Sequence, residues 1–239
     1  MPSDSPFFAA SGASQPEYER RWTVVVPVKA ADVGKSRLDG AAADRVELAR
    51  AIALDTIEAA AAAATVTRVL VVTADPEVAR VAGGMANVEV VPDPDAVGLD
   101  AAVAAGAAAA GVDAARAALL GDLPALHPAE LDAALVASAD VERGLVADAE
   151  GTGSTLVTAR PGAVWVSAFG EDSAERHRLL GCVDLDVPQD TGLRRDVDTP
   201  EQLAAARALG LGSRTAALVR AAETSAEQPA SPAGAPARG

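Results

Sequence analysis

The chain predicts an α/β domain: a mostly parallel central sheet with helices on both faces. Three observations carry this. Apolar β-like runs alternate with helix-like runs from about residue 22 to 210. The β-like runs are uninterrupted rather than alternating, which is how strands buried on both faces read. The repeated β-then-α order also calls for crossovers that lay helices over a parallel sheet.

In chain order, "WTVVVPV" (22–28) reads as a buried strand and residues 42–64 as a long amphipathic helix. "TRVLVVT" (67–73) is a second strand, after which Asp75-Pro76 opens a short helix. "VEVV" (88–91) is a third strand, followed by an Ala-rich helix from Leu99 to about Ala110. "ARAALLGDLPAL" (115–126) runs as a fourth strand into a turn at Gly121-Asp122, and a helix starts at Pro128. "RGLVADAEGTGSTLVTA" (143–159) reads as two strands around a Gly/Thr/Ser loop, and Ser173 as the N-cap of a short helix. Residues 182–210 give strand, turn, strand and a closing helix capped by Thr199 with Pro200 at its first position.

The 239 residues divide into a Ser/Pro/Ala/Gly-rich N-terminal tail (1–20), one domain (21–212) and a C-terminal tail (213–239), both tails expected to be mobile. A formal charge of −14 argues against nucleic acid or an anionic membrane as partner. No run reads as a membrane span or secretory signal, so a cytoplasmic protein is expected. The single Cys182 excludes an internal disulfide and reads as a small core residue. His127, before Pro128, reads as structural. His177 lies four residues after Ser173 and reads as a surface residue, with ligand contact as the alternative.

After the first strand, Gly34-Lys35-Ser36 resembles the tail of a P-loop. The Walker pattern then requires Gly at 29, where this chain has Lys29. Lys29, Lys35 and Arg37 instead form a cationic cluster against an acidic background, so phosphate is expected to be held by side chains. Asp122 emerges at the end of the fourth strand, and Asp196 and Asp198 alternate around Val197 at another. Period-2 alternation puts both carboxylates on one face. Strand-end carboxylates beside a cationic phosphate loop are what Mg²⁺-dependent nucleotide chemistry needs. Taken singly, Gly-Asp is more often a turn, and "DVDTP" also reads as an N-capping cluster.

"PVKAADVGKSRL", "LLGDLPAL", "GTGSTL", "FGEDSAERH" and "RRDVDTPEQL" together resemble the 2-phospho-L-lactate / phosphoenolpyruvate guanylyltransferases of coenzyme F-420 biosynthesis, over about residues 22–210 and in the family's order. The resemblance implies a nucleotidyltransferase fold (GT-A-like, Rossmann-like). It also implies transfer of GMP from GTP to the phosphate of a small carboxylic acid, with Mg²⁺ and release of pyrophosphate. It assigns Lys29, Lys35 and Arg37 to the GTP phosphates, with Asp122 catalytic alongside them. Asp122 and Asp196 or Asp198 fall to the metal, and Thr155, Gly170 and Ser173 to the acid. A homodimer and a downstream transferase of the same pathway are admitted as partners. One departure is Asp100, where the family pattern leads to Asn, so no nucleotide contact is assigned there. Phosphoenolpyruvate is favoured over 2-phospho-L-lactate and 3-phosphoglycerate because the Ala-rich composition resembles GC-rich bacterial members. The alternatives are a nucleotidyltransferase for a sugar phosphate or molybdopterin, and a non-catalytic nucleotide-binding regulator.

Overall fold

The computed structural model describes residues 22–29, 45–93 and 98–227. The sheet has seven strands: β1 (Trp22–Val28), β2 (Val66–Thr73), β3 (Val88–Pro92), β4 (Ala115–Leu119), β5 (Arg143–Ala147), β6 (Ser154–Ala159) and β7 (Val183–Asp184). Their spatial order is β3-β2-β1-β4-β6-β5-β7. β1 pairs in parallel with β2 and β4, β2 with β3, and β5 with β7. β6 is antiparallel to both β4 and β5, so it alone is reversed. The mostly parallel expectation therefore holds, with this one inversion.

The helices are α1 (Arg45–Ala62), α2 (Pro76–Ala82), α3 (Leu99–Ala110), α4 (Pro128–Ala137), α5 (Ser173–Leu179), α6 (Pro200–Leu209) and α7 (Ser213–Glu227). Alternate residues of the central strands feed the two faces of the sheet. Val24, Val26, Val69, Val71, Ala117 and Leu119 pack with Leu54 and Ile57 of α1, Val78 of α2 and Leu131 and Leu135 of α4. Val25, Leu70 and Val72 pack with Ala102 of α3, while Ala118, Leu145 and Val157 meet Val103 of α3, Phe169 and Cys182. Burial on both faces is why these strands carry no polar alternation. Among the described residues, no helix is long and apolar enough to cross a membrane.

Local chemistry sets the helix starts. Asp75 caps α2 by accepting from the N–H groups of Glu77 and Val78. Thr199 and Gln202 form a capping box on α6. His127 does the same for α4 with Glu130, in keeping with its structural reading.

Several expectations are corrected. The C-terminal tail does not start at 213, because α7 packs along α1. The carboxylate of Asp55, on α1 and only 6% exposed, accepts from the N–H groups of Arg214 and Thr215 at the start of α7. Covered by the sheet on one side and α7 on another, α1 buries more than the single face of the amphipathic helix the sequence suggested. The second strand expected within 182–198 is absent; a single 3-10 turn (Gly192–Arg194) and extended chain take its place. The N-cap of α5 is Asp172, not Ser173, which is the first helical residue.

Candidate active site

A cleft of about 970 Å³ opens beyond the carboxyl ends of β1 and β4, the edge where α/β sheets gather ligands. Pro27–Lys29, Leu120–Asp122, Thr152–Ser154, Phe169–Ser173, Asp148, Asp196 and Asp198 line it. Lys29 is exposed at its rim. Lys35 and Arg37 lie outside the described residues, as does residues 1–20, the expected N-terminal tail.

Asp122 is set in place by its neighbours. Leu120 N–H donates to the Thr155 carbonyl (2.9 Å), and Leu123 N–H to the buried Thr56 hydroxyl of α1 (3.1 Å). Gly121 is needed because a Cβ would lie 3.0 Å from the Pro27 carbonyl oxygen at the end of β1. The Val197 N–H then donates to the Asp122 carbonyl (3.1 Å), stitching the second acidic segment to the first. Val197 is fully buried in a cluster with Leu48, Ile52 and Leu203, so Asp196 and Asp198 both face the other way, as the alternation predicts. Asp198 is held further by its N–H bond to the Gln202 side chain (2.8 Å).

Oxygen atoms of Asp122, Asp196 and Asp198 all lie within 4.8 Å of one another. Burial, reinforced by the charges of Asp122, Asp148, Asp198 and Glu150, pushes the Asp196 carboxyl up to about 7. Its Oδ1 is buried with no hydrogen-bond partner among the described residues. Carboxylates gathered this closely could together hold a cation, and an all-oxygen set suits a hard divalent one. A second acidic group, Asp148, Glu150 and Asp196, is spatially adjacent. Two of its members have other work. Asp148 accepts from the N–H groups of Thr152 (3.0 Å) and Gly153 (2.7 Å), and Glu150 pairs with Arg195 (2.9 Å).

The remaining predicted residues separate. Gly170 and Ser173 line the cleft. Gly170 has φ 110, a backbone conformation that favours glycine, while a Cβ there would meet only the movable tip of Arg176 (Nη2, 3.3 Å). Thr155 does not line the cleft: its side chain is fully buried, with Oγ1 3.5 Å from the Val146 carbonyl. The preceding residue, Ser154, lines it instead. His177 is not on the surface, because its ring is wholly buried against Ser154 and Phe169. Asp100 is a positioning group: its Oδ1 accepts from the Phe169 N–H (3.0 Å), fixing the loop that carries Gly170.

Sequence reasoning passed over Asp148 and Ser154. A signal for Asp148 was present, since Asp at the head of a turn-rich Gly/Thr/Ser stretch often accepts from nearby backbone N–H groups. A signal for Ser154 was present too, because neighbouring residues on a strand point to opposite faces.

A mixed sheet of this order, with a cleft beyond the carboxyl ends of β1 and β4, is the fold of the nucleotidyltransferases. Solved structures share the fold. A putative nucleotide-diphospho-sugar transferase from Desulfovibrio desulfuricans superposes with a TM-score of 0.61 at 17% identity, over 84% of this chain and 97% of its own. A nucleotidyl transferase from Methanothermobacter gives 0.54 at 21% identity, over 79% and 97%. More specifically, the chain belongs to the family described as "Guanylyl transferase CofC like", which matches residues 22–180. Two relatives are named phosphoenolpyruvate guanylyltransferase. That of Salinispora arenicola is 51% identical over 203 residues, covering 82% of this chain and 92% of its own. That of Streptosporangium roseum is 46% identical over 202 residues, covering 83% and 90%.

Proposed function

We propose that this protein transfers the GMP part of GTP to the phosphate of phosphoenolpyruvate, releasing pyrophosphate, as a cytoplasmic step of coenzyme F-420 biosynthesis. The observation that carries this reading is one cleft shared by Lys29, the Asp122, Asp196 and Asp198 carboxylates, Gly170 and Ser173, in a chain whose relatives bear that name.

In this reading an oxygen of the acid's phosphate attacks the α-phosphorus of GTP, and the bond to the β-phosphate oxygen breaks. Two polyanions meet, so the site must neutralise charge rather than create a nucleophile. The acid's phosphate is already ionised, which removes the need for a side-chain base. Asp122, Asp196 and Asp198 would hold Mg²⁺, which when bound supplies positive charge beside the transferring group. Lys29 meets the nucleotide phosphates, together with Lys35 and Arg37. Gly170 brings backbone close to the acid, and Ser173 offers it a hydroxyl.

The test offers purified protein GTP and Mg²⁺ with phosphoenolpyruvate, 2-phospho-L-lactate or 3-phosphoglycerate in turn, and identifies the product by mass. The expected result is a guanosine diphosphate diester of phosphoenolpyruvate with one pyrophosphate released per turnover. Product from 2-phospho-L-lactate alone would move the substrate assignment, and no product from any acid would overturn the reaction.

A further inference from the structure

Ser154 opens β6 on the cleft wall and is 2% exposed. Its Oγ lies 2.9 Å from Nδ1 of His177, and the tautomer of the ring decides which of the two donates. His177 Nε2 lies 2.8 Å from the backbone nitrogen of Ala168. A backbone N–H can only donate, so Nε2 carries no proton and the proton of the neutral ring sits on Nδ1. The ring is fully buried, with the Phe169 ring edge-on at 4.9 Å. Burial lowers its pKa to about 4, with Arg176 acting the same way and with Asp100 and the Ser173 backbone opposing.

The Nδ1–H therefore donates toward Ser154 Oγ. The hydroxyl hydrogen of Ser154 cannot return to His177. The bond to His177 is the only hydrogen bond of that hydroxyl among the described residues. A buried donor left without an acceptor is destabilising, and at a residue of the cleft wall a ligand oxygen can supply that acceptor.

We propose that Ser154 contacts the acceptor substrate, donating its hydroxyl hydrogen to an anionic oxygen of the phosphorylated acid, and that neutral His177 is the positioning residue that keeps Ser154 a donor. The same ring holds the Ala168 N–H, just ahead of the segment Phe169–Ser173 that lines the cleft. One imidazole thus ties together the stretches on either side of the acid. This assignment rests on the transfer to an acid proposed above.

The test is steady-state kinetics with each substrate varied, on wild type, Ser154→Ala and Ser154→Thr, with the melting temperature of each. Ser154→Ala is expected to raise KM for phosphoenolpyruvate ~10- to 150-fold, the worth of a hydrogen bond to a charged acceptor. KM for GTP stays within about 2-fold, and Ser154→Thr, which keeps a hydroxyl, returns toward wild type. An unchanged acid KM, or an equal rise for GTP, overturns the proposal. If Ser154→Ala does not fold, the ¹⁵N shifts of the wild-type ring decide: a proton on Nδ1 supports the assignment and a proton on Nε2 overturns it. A wild type that forms no product with any acid fails at the earlier step, and both readings fall together.

Discussion

The two halves of the sheet are built on different physics. β1 to β4 form a parallel block in which nearly every inward residue is Val, Leu or Ala, and Lys29 and Asp122 emerge where its strands end. β5 to β7 form a block organised by buried polar groups. Arg194 donates to the carbonyls of Ala147 and Val187, Thr158 bonds to Ser138, and His177 spans Ser154 and Ala168. A hydrophobic block tolerates exchange of similar side chains. A polar one depends on every partner being present. We therefore assign the nucleotide to the first block and the acid to the second, with the three aspartates at their border.

Substitution at the border has the largest expected effect. Asp122→Asn keeps the shape but removes a charge, and turnover is expected to fall at least ~100-fold with folding intact. Near-normal pyrophosphate release would remove Asp122 from the metal set. Lys29→Ala acts within the first block: kcat/KM for GTP is expected to drop ~10- to 100-fold while the acid's KM stays fixed. A defect shared by both substrates would dissolve the division into halves. Gly170→Ala acts on the other side. Forcing a side chain into φ 110 costs roughly 1–3 kcal/mol, and the acid's KM is expected to rise several-fold with that for GTP unchanged. An acid KM equal to wild type would show that the 169–173 bend does not meet the substrate.

A further prediction concerns stability and pH. His177 is held at about 4, below its ordinary 6.5. A folded pKa below the unfolded one means that protons favour the unfolded chain. The stability it contributes is present above pH 6.5 and is lost as pH falls toward 4 and below. The wild type should lose about 2 kcal/mol more than His177→Gln between pH 7 and pH 5, read from urea midpoints. Parallel loss in both proteins would mean that the ring is charged or exposed.

What the sequence made legible follows the same boundary. β1 to β4 and their helices declare themselves through unbroken apolar runs, and α3 begins and ends as its composition suggests. The Asp196–Val197–Asp198 alternation also reads directly, because one apolar residue between two acids has a single way to bury. The reversal of β6 does not read, since strand direction depends on where the chain re-enters the sheet. Nor does the burial of His177, whose partner Ser154 is 23 positions away. α7 looks like tail by composition; its anchor is Asp55, 160 positions before Thr215. Local sequence carries propensity, and these features are decided by partners that only the folded chain brings near.

The single reversed strand also bears on how such a site is inherited. Because β6 runs backwards, its first residue arrives at the edge where its neighbours finish, and Ser154 stands beside the segment after Leu119. On the division assigned above, the acid's wall would then lie in one continuous stretch, from Asp148 to His177, and the nucleotide's would be spread among the other strand ends. On that division, replacing this one stretch with a relative's is expected to change which acid is accepted while leaving use of GTP intact.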